Sequence, residues 1–295
     1  MHAPNLSQKG FTLIELMIAI TLGLIISAAA LMLFLSSQRS LAMQSGLGEI
    51  GQNTIFGLDN LTRDLRHINL DTRTDYVSTT QPGSGIIFNA GQATATIGAG
   101  DVTRANAFTT GIMNVASDQL TIQYIARNNT TNCEGANIAA GTSVVQKYYI
   151  DELPANQQNS RTDRRYGLYC DAVWNGGSAM GAGQTVIIPD AESFKVSLGI
   201  RNLNGTPANR SDDTLRYQTL EQYTGAPNGT TVISVEVGVV MRSSNSVHGD
   251  RNINKARVFT IAGQDVQLRD TTDTAAHLRV PISQAIALRN SQGVE

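Results

Sequence analysis

Charge is what this sequence has least of. Charged residues make up 16% of its 295 positions, the formal net charge is −2, and there are only four lysines. The arginines are scattered, so no basic face forms, and nucleic acid is excluded as the main partner. Cysteine is nearly absent: Cys133 and Cys170 have no second cysteine or histidine at ligand spacing, so no metal site is expected. The histidines, His2, His67, His248 and His277, lie far apart in the chain and read as surface or packing residues. No Gly-x-Ser-x-Gly elbow precedes a helix, and no phosphate loop ending in Gly-Lys-Ser/Thr occurs. The glycine clusters Gly83–Gly85 and Gly176–Gly183 lack the strand-to-helix context of a dinucleotide site. Asp250, Asn252 and Asn254 imitate the first half of a calcium loop, but Lys255 and Ile261 stand where its glycine and closing glutamate belong. A polar turn is expected there, and Asp212, Asp213, Asp270 and Asp273 read as solvated loop charges. These absences argue for a protein that is not an enzyme, with no cofactor and no small-molecule substrate.

Proline is also missing, from Phe11 through Gln81, which leaves room for one long helix. Its first half is apolar. From Leu16 to Leu35 there are 20 residues without a charge, roughly 30 Å of helix and one bilayer core. Lys9 precedes the run and Arg39 closes it. A secretory signal peptide has a shorter apolar region and ends in a small-residue cleavage site. Here Ala28, Ala29 and Ala30 are followed by five more apolar residues, Leu31 to Leu35. Lys9 favours a cytoplasmic N-terminus and an exported C-terminal part. Glu15 stands out, because a carboxylate within a membrane costs about 2.5–3.5 kcal/mol when deep and less near the interface.

Past the apolar run, Leu47, Ile50, Thr54, Leu58, Leu61, Leu65 and Ile68 recur at helical spacing. Glu49, Asp59, Arg63, Asp64, Arg66 and His67 are assigned to the opposite, polar face. Gly46, Gly48, Gly51 and Gly57 weaken this half, by up to about 1 kcal/mol each relative to Ala. A bend or frayed stretch is expected near Gly46 to Gly51. Beyond the helix, Ile86–Phe88 reads as a short strand and Gly91–Gly111 as loop. Strands are expected at Gln119–Ala126, Ser143–Ile150, Tyr166–Val173, Thr185–Ile188, Ser193–Ile200, Leu215–Leu220, Thr231–Arg242, Ala256–Ile261 and Leu278–Leu288. Several alternate: Phe194, Val196, Leu198 and Ile200 share one face, as do Val235, Val237 and Val239, the period of a half-buried antiparallel strand. In an oxidising compartment Cys133 and Cys170 are expected to bridge, two unrelated buried thiols being the alternative.

The residues Lys9-Gly10-Phe11-Thr12-Leu13-Ile14-Glu15, followed by the apolar helix, resemble the class III signal of type IV pilins and pseudopilins. Glycine, aromatic, acid and helix stand at the offsets of that family. The resemblance implies cleavage between Gly10 and Phe11 and N-methylation of Phe11. It implies that Glu15 is an assembly acid that compensates the N-terminal amine of a neighbouring subunit. A buried ammonium and a buried carboxylate are tolerable together and not singly. The segments Tyr166–Cys170, Ile188–Val196, Val239–Ser243 and Leu288–Asn290 resemble PilW-type minor pilins.

The expected fold is α+β, a long N-terminal helix packed on a mainly antiparallel sheet domain. Residues 1–10 are then a leader peptide and 11–35 the transmembrane half of the helix. Residues 36–70 are its amphipathic half, and 71–295 an exported β-rich domain. The family implies a structural role: priming pilus assembly at or near the tip, with a part in adhesion and twitching motility. The implied partners are other minor pilins, the prepilin peptidase and the inner-membrane assembly platform. A J-type pseudopilin of type II secretion shares the signal and stays open as the alternative. A membrane-tethered periplasmic enzyme is a third reading, for which the sequence offers no nucleophile.

Overall fold

The computed structural model describes residues 10–74, 76–77, 79–158, 163–177, 179–202, 213–223, 225, 230–246, 257–269 and 277–289. Helix α1 spans Leu13–Leu65 and is followed in order by β1 (Arg104–Phe108), β2 (Ser117–Ile125), β3 (Thr130–Thr131) and β4 (Asn137–Ile138). Next come β5 (Ser143–Glu152), β6 (Tyr166–Trp174), β7 (Thr185–Pro189), β8 (Ala191–Asn202) and β9 (Thr214–Thr219). The chain continues with β10 (Thr230–Arg242), β11 (Val258–Ile261), β12 (Gln264–Gln267) and β13 (Arg279–Ala287). One sheet has the order β1-β2-β5-β6-β7 and a second the order β13-β10-β8-β9. The pairs β3-β4 and β11-β12 stand as separate two-stranded ribbons, and every ladder among the described residues is antiparallel. The architecture is α+β: one long, N-terminally apolar helix and antiparallel sheets.

The apolar stripe of α1 does what its spacing requires. Ile50, Leu58, Leu61, Leu65 and the following Ile68 enter one core with Leu120, Ile122, Tyr148, Ile150, Leu168 and Ile188 of the first sheet. The same core takes Phe194, Val196, Leu198 and Ile200 of β8 and Val235, Val237 and Val239 of β10. Two members of the helix pattern depart from expectation. Leu47 stays 47% exposed, and the neighbouring Gly46 turns inward instead. Asp64, assigned to the polar face, is only 5% exposed because a tyrosine hydroxyl from the sheet reaches it. The helix also runs unbroken through Gly46 to Gly51, where a bend or fraying was expected. It ends at Leu65, short of residue 70, and a turn through Asn69 (φ 64°) and Asp71 (φ 50°) leads out of it.

The strand half differs from its sequence reading in several places. Ile86–Phe88 contributes a single bridge, Ile86 to Ile122, and not a strand. The stretch read as loop, Gly91–Gly111, contains β1, whose sequence Arg-Ala-Asn-Ala-Phe carries no β-branched residue to announce it. The faces expected to be half-buried in β8 and β10 are covered on both sides. Gly238 of β10 lies so close under the β11-β12 ribbon that a Cβ there would stand 2.7 Å from Ala262 N and from Ile261 Cβ. The hydroxyl of Ser197 donates to Ala262 O at 2.7 Å, and Gln264 Nε2 donates to Val196 O at 3.1 Å. The expected strand over Ala256–Ile261 begins at Val258, and Ala256 lies outside the described residues. So do His2, His248, Asp212, Asp250, Asn252, Asn254, Lys255, Asp270, Asp273 and Asn290.

The two sheets are joined by side chains where β8 is not yet paired with β9. Phe194 N donates to Ser117 Oγ at 3.2 Å, and Val196 N donates to Asp118 Oδ2 at 3.0 Å. Lys195 Nζ sits 3.0 Å from Asp118 Oδ1, and both side chains are nearly fully buried. A disulfide between Cys133 and Cys170 ties the β3-β4 ribbon to β6 across a sequence separation of 37. In the chain-entropy model such a link stabilises by about 4 kcal/mol.

Helix α1 packs closely on β7 at Gly57. A Cβ there would lie 2.3 Å from Ile188 Cγ1 and 3.1 Å from Ile187 O of β7. At Gly48 nothing lies within 4 Å. Gly57→Ala is therefore expected to destabilise the detergent-solubilised chain by roughly 1–2 kcal/mol, overpacking being partly offset by helix propensity. Gly48→Ala is expected to stabilise it by up to about 1 kcal/mol. Chemical denaturation of both variants checks the pair. Equal shifts of the same sign would contradict the close contact at β7.

Candidate assembly site at the N-terminal helix

Gly10 and Phe11 lie in an exposed segment just ahead of α1, and Phe11 is 87% exposed. Thr12, in extended conformation, is the N-cap. Its hydroxyl accepts from Glu15 N at 3.3 Å, while Thr12 N and Thr12 Oγ1 donate to Glu15 Oε2 at 3.1 and 2.9 Å. This reciprocal box satisfies orphan N–H groups at the helix start and puts an acid in the first turn, where the helix dipole favours it. The spacing of Phe11 and Glu15 drew attention to an amine partner for the acid. The structure shows Thr12 as the residue that holds Glu15.

From Leu13 through Leu35 the large apolar side chains are all exposed, and none packs on the domain. Among the described residues this is the one helix long and apolar enough to cross a membrane. Thr21 is reconciled with such a setting by donating its hydroxyl to Ile18 O at 2.9 Å. Burial begins only at Gly46. The helix therefore has an unpartnered apolar half and a docked half, set by where its sequence changes from wholly apolar to striped.

The docked half is fixed by polar groups as well as apolar ones. Tyr148 OH of β5 donates to Asp64 Oδ2 at 3.0 Å and lies 2.9 Å from Gln146 Oε1. The ring of His67 stacks in a tilted contact on Tyr124, with centroids 5.2 Å apart. Burial pushes the Asp64 carboxyl up to about 6, against the Tyr148 hydrogen bond and nearby Arg63, which favour the charge. Burial and then Arg63 push the His67 imidazole below its ordinary range. Nearer the N-terminal side, Ser244 Oγ donates to Glu49 Oε2 at 2.8 Å, tying the helix to the residues after β10.

Beside those residues, with His277 Nδ1 3.0 Å from Ser243 O, lies a buried ionic cluster that sequence reasoning missed. Arg279 grips Glu192 with two hydrogen bonds, 2.6 and 2.9 Å, and Arg165 grips Asp190 with two, 2.8 and 2.6 Å. Arg242 Nη1 donates to Asp163 Oδ1 at 2.7 Å, and His277 Nε2 lies 3.2 Å from Asp163 Oδ2. Burial, then Arg242, lowers the His277 imidazole below its ordinary range. The sequence signal was available in the charged ends of otherwise apolar strands, Glu192, Arg242 and Arg279. Removing one member of such a pair strands a buried charge, so the set is structural in character. No three His, Cys, Asp or Glu side chains converge as metal ligands among the described residues.

Asp64 gives a pH dependence with a definite sign. Its folded value of about 6 lies above the ordinary 3.8, so the unfolded chain ionises first. Stability therefore falls as pH rises between about 4 and 6, by on the order of 3 kcal/mol for this group. Asp64→Asn is expected to raise the thermal midpoint in detergent at pH 7 and to leave it near wild type below pH 4. A variant less stable than wild type at pH 7 would contradict the buried-carboxylate account.

The family model described as "Prokaryotic N-terminal methylation motif" matches residues 5–31. No curated protein matches the chain. Among solved structures, one similar chain is a type IV-like pilin from Thermus thermophilus, at 14% identity and a TM-score of 0.30. The match covers 59% of this chain and 80% of that one. The Gly10–Phe11 junction, the Thr12–Glu15 box and the first turns of α1 thus fall inside the prokaryotic N-terminal methylation motif that this chain carries.

Proposed function

We propose that this protein is a minor pilin of a type IV pilus, PilW-like, that is anchored in the inner membrane and then primes assembly at the tip. The observation that carries the reading is a methylation motif over residues 5–31 set directly on a helix whose first half has no partner within its own domain. A bare apolar helix of that length needs lipid before assembly and other apolar helices afterwards. The N-terminus faces the cytoplasm, where a prepilin peptidase cuts between Gly10 and Phe11 and the new amine is methylated. The domain lies on the periplasmic side, where the Cys133–Cys170 bridge is compatible with an oxidising environment. The role is structural: other minor pilins and the inner-membrane assembly platform are the partners. The leader, the transmembrane half of α1, its amphipathic half and the β-rich domain are the four functional segments.

Glu15 is the assembly acid in this reading. Thr12 holds it while the chain is alone, and the amine of a neighbouring subunit replaces that contact in the assembled tip.

Mass spectrometry of the protein from cells with an active leader peptidase is expected to show a chain beginning at N-methylated Phe11. Recovery of the full-length chain alone would sink the reading. Glu15→Gln is expected to insert and be processed normally while surface pili fall at least about tenfold, the effect of losing roughly 1.4 kcal/mol or more of docking free energy. Wild-type pilus numbers at wild-type expression would contradict the pairing role.

A further inference from the structure

The two main sheets have four edges, and three of them are blocked. Edge β7 lies beneath α1, whose Gly57 approaches Ile187 O. Edge β1 is interrupted by a register shift between Arg104 and Phe108, with Asn106 at φ 53°. Edge β13 carries Pro281 in its middle, which removes a donor. These are the usual ways of protecting an edge from another strand. Edge β9, Thr-Leu-Arg-Tyr-Gln-Thr, has no proline and no register shift against β8, and Thr214 through Tyr217 are exposed on both faces.

The direction of its backbone follows from its last residue. Thr219 N donates to Gln222 Oε1 at 3.2 Å, and Thr219 O accepts from Gln222 N and Tyr223 N. The backbone of Thr219 therefore faces away from β8. In an antiparallel ladder that orientation repeats every second residue. The N–H and C=O groups of Leu215 and Tyr217 then face outward, while those of Thr214, Arg216 and Gln218 serve the ladder to β8. Outward peptide groups in a row are complementary to one thing, the backbone of another extended segment.

The side chains specify that segment further. Leu215 and Tyr217 are 55% and 47% exposed and share one face. Arg216 projects on the other face and is in no ion pair among the described residues, whereas the neighbouring Arg201 has Asp213 at 3.7 Å.

We propose that β9 is a docking edge, to which an extended segment of a different chain adds as a fifth strand of the second sheet. That segment places an acidic side chain opposite Arg216 and apolar ones beside Leu215 and Tyr217. A second copy of this chain is disfavoured by charge. In the antiparallel register of two β9 strands that engages both outward residues, Leu215 pairs with Tyr217 of the other copy and Arg216 stands opposite Arg216. Like charges directly opposite one another across a ladder are destabilising.

The test is amide hydrogen exchange on the full chain, in detergent micelles alone and in membranes isolated from producing cells. The Leu215 and Tyr217 amides are expected to exchange at least about tenfold more slowly in membranes, with the Arg216 amide, already bonded to β8, little changed. Tyr217→Pro removes one outward donor without touching the ladder and is expected to abolish the slowing at Leu215. Should proline disturb β8, Arg216→Glu leaves the backbone intact and is expected to cut the slowing. Equal exchange at Leu215 and Tyr217 in the two settings overturns the proposal. So does a photo-crosslinker at position 215 that joins only two copies of this chain.

Discussion

Everything else in this molecule depends on the contact between the second half of α1 and the sheet beside it. The first half of that helix has nowhere to rest within its own domain. A helix bare on every side over the width of a bilayer is stable only in lipid or among other apolar helices. The second half must therefore transmit the position of the anchor to the globular domain. It does so without a hinge, since α1 continues unbroken from Leu13 to Leu65. Gly57 lets the helix come within van der Waals reach of β7, and Ile50, Leu58, Leu61 and Leu65 complete one core shared by both sheets. Whatever orients α1 in the membrane thereby orients the domain.

Polar groups supplement that packing at both ends of the docked half. Asp64 and Tyr148 meet at the C-terminal end, and Glu49 and Ser244 toward the N-terminal end. Neither contact adds much stability for its burial, and Asp64 is destabilising when ionised. A buried polar pair does penalise any sliding of the helix by one turn, because each partner would then be buried alone. The ionic cluster around Glu192 and Arg242 fixes the strand ends next to this contact in the same manner. The fold thus ties an apolar core of low specificity to a single register of helix on sheet.

The helix was legible because its signals are redundant. Twenty uncharged residues, no proline from Phe11 through Gln81, and a stripe at helical spacing all agree. The strands with alternating apolar residues, such as Phe194 to Ile200, were legible for the same reason. What escaped was what depends on distant partners. Asp64 looked like a surface acid until Tyr148 arrived from 84 residues away. The polar faces of β8 and β10 looked solvated because the cover comes from β11-β12, and β12, Gln-Asp-Val-Gln, has no strand signature of its own. Ile86 and Ile87 looked like a strand, yet their burial comes from lying against β2 and not from extending a ladder. The disulfide partners were evident only because there are two cysteines. At the N-terminus the glycine, the aromatic residue and the acid could be read at once, whereas the hold of Thr12 on Glu15 needed the helix geometry.

The central claim is that one rigid helix lives in two solvents, with the change falling between Leu35 and Gly46. Spin labels placed singly at positions 18, 25, 32, 55 and 56 of the chain in lipid bilayers test it directly, read by accessibility to oxygen and to a water-soluble nickel complex. Oxygen is expected to dominate at 18, 25 and 32, and the nickel complex at 55 and 56, whose side chains are 69% and 66% exposed on the docked half. Nickel access at 18, 25 and 32 equal to that at 55 and 56 would contradict the account.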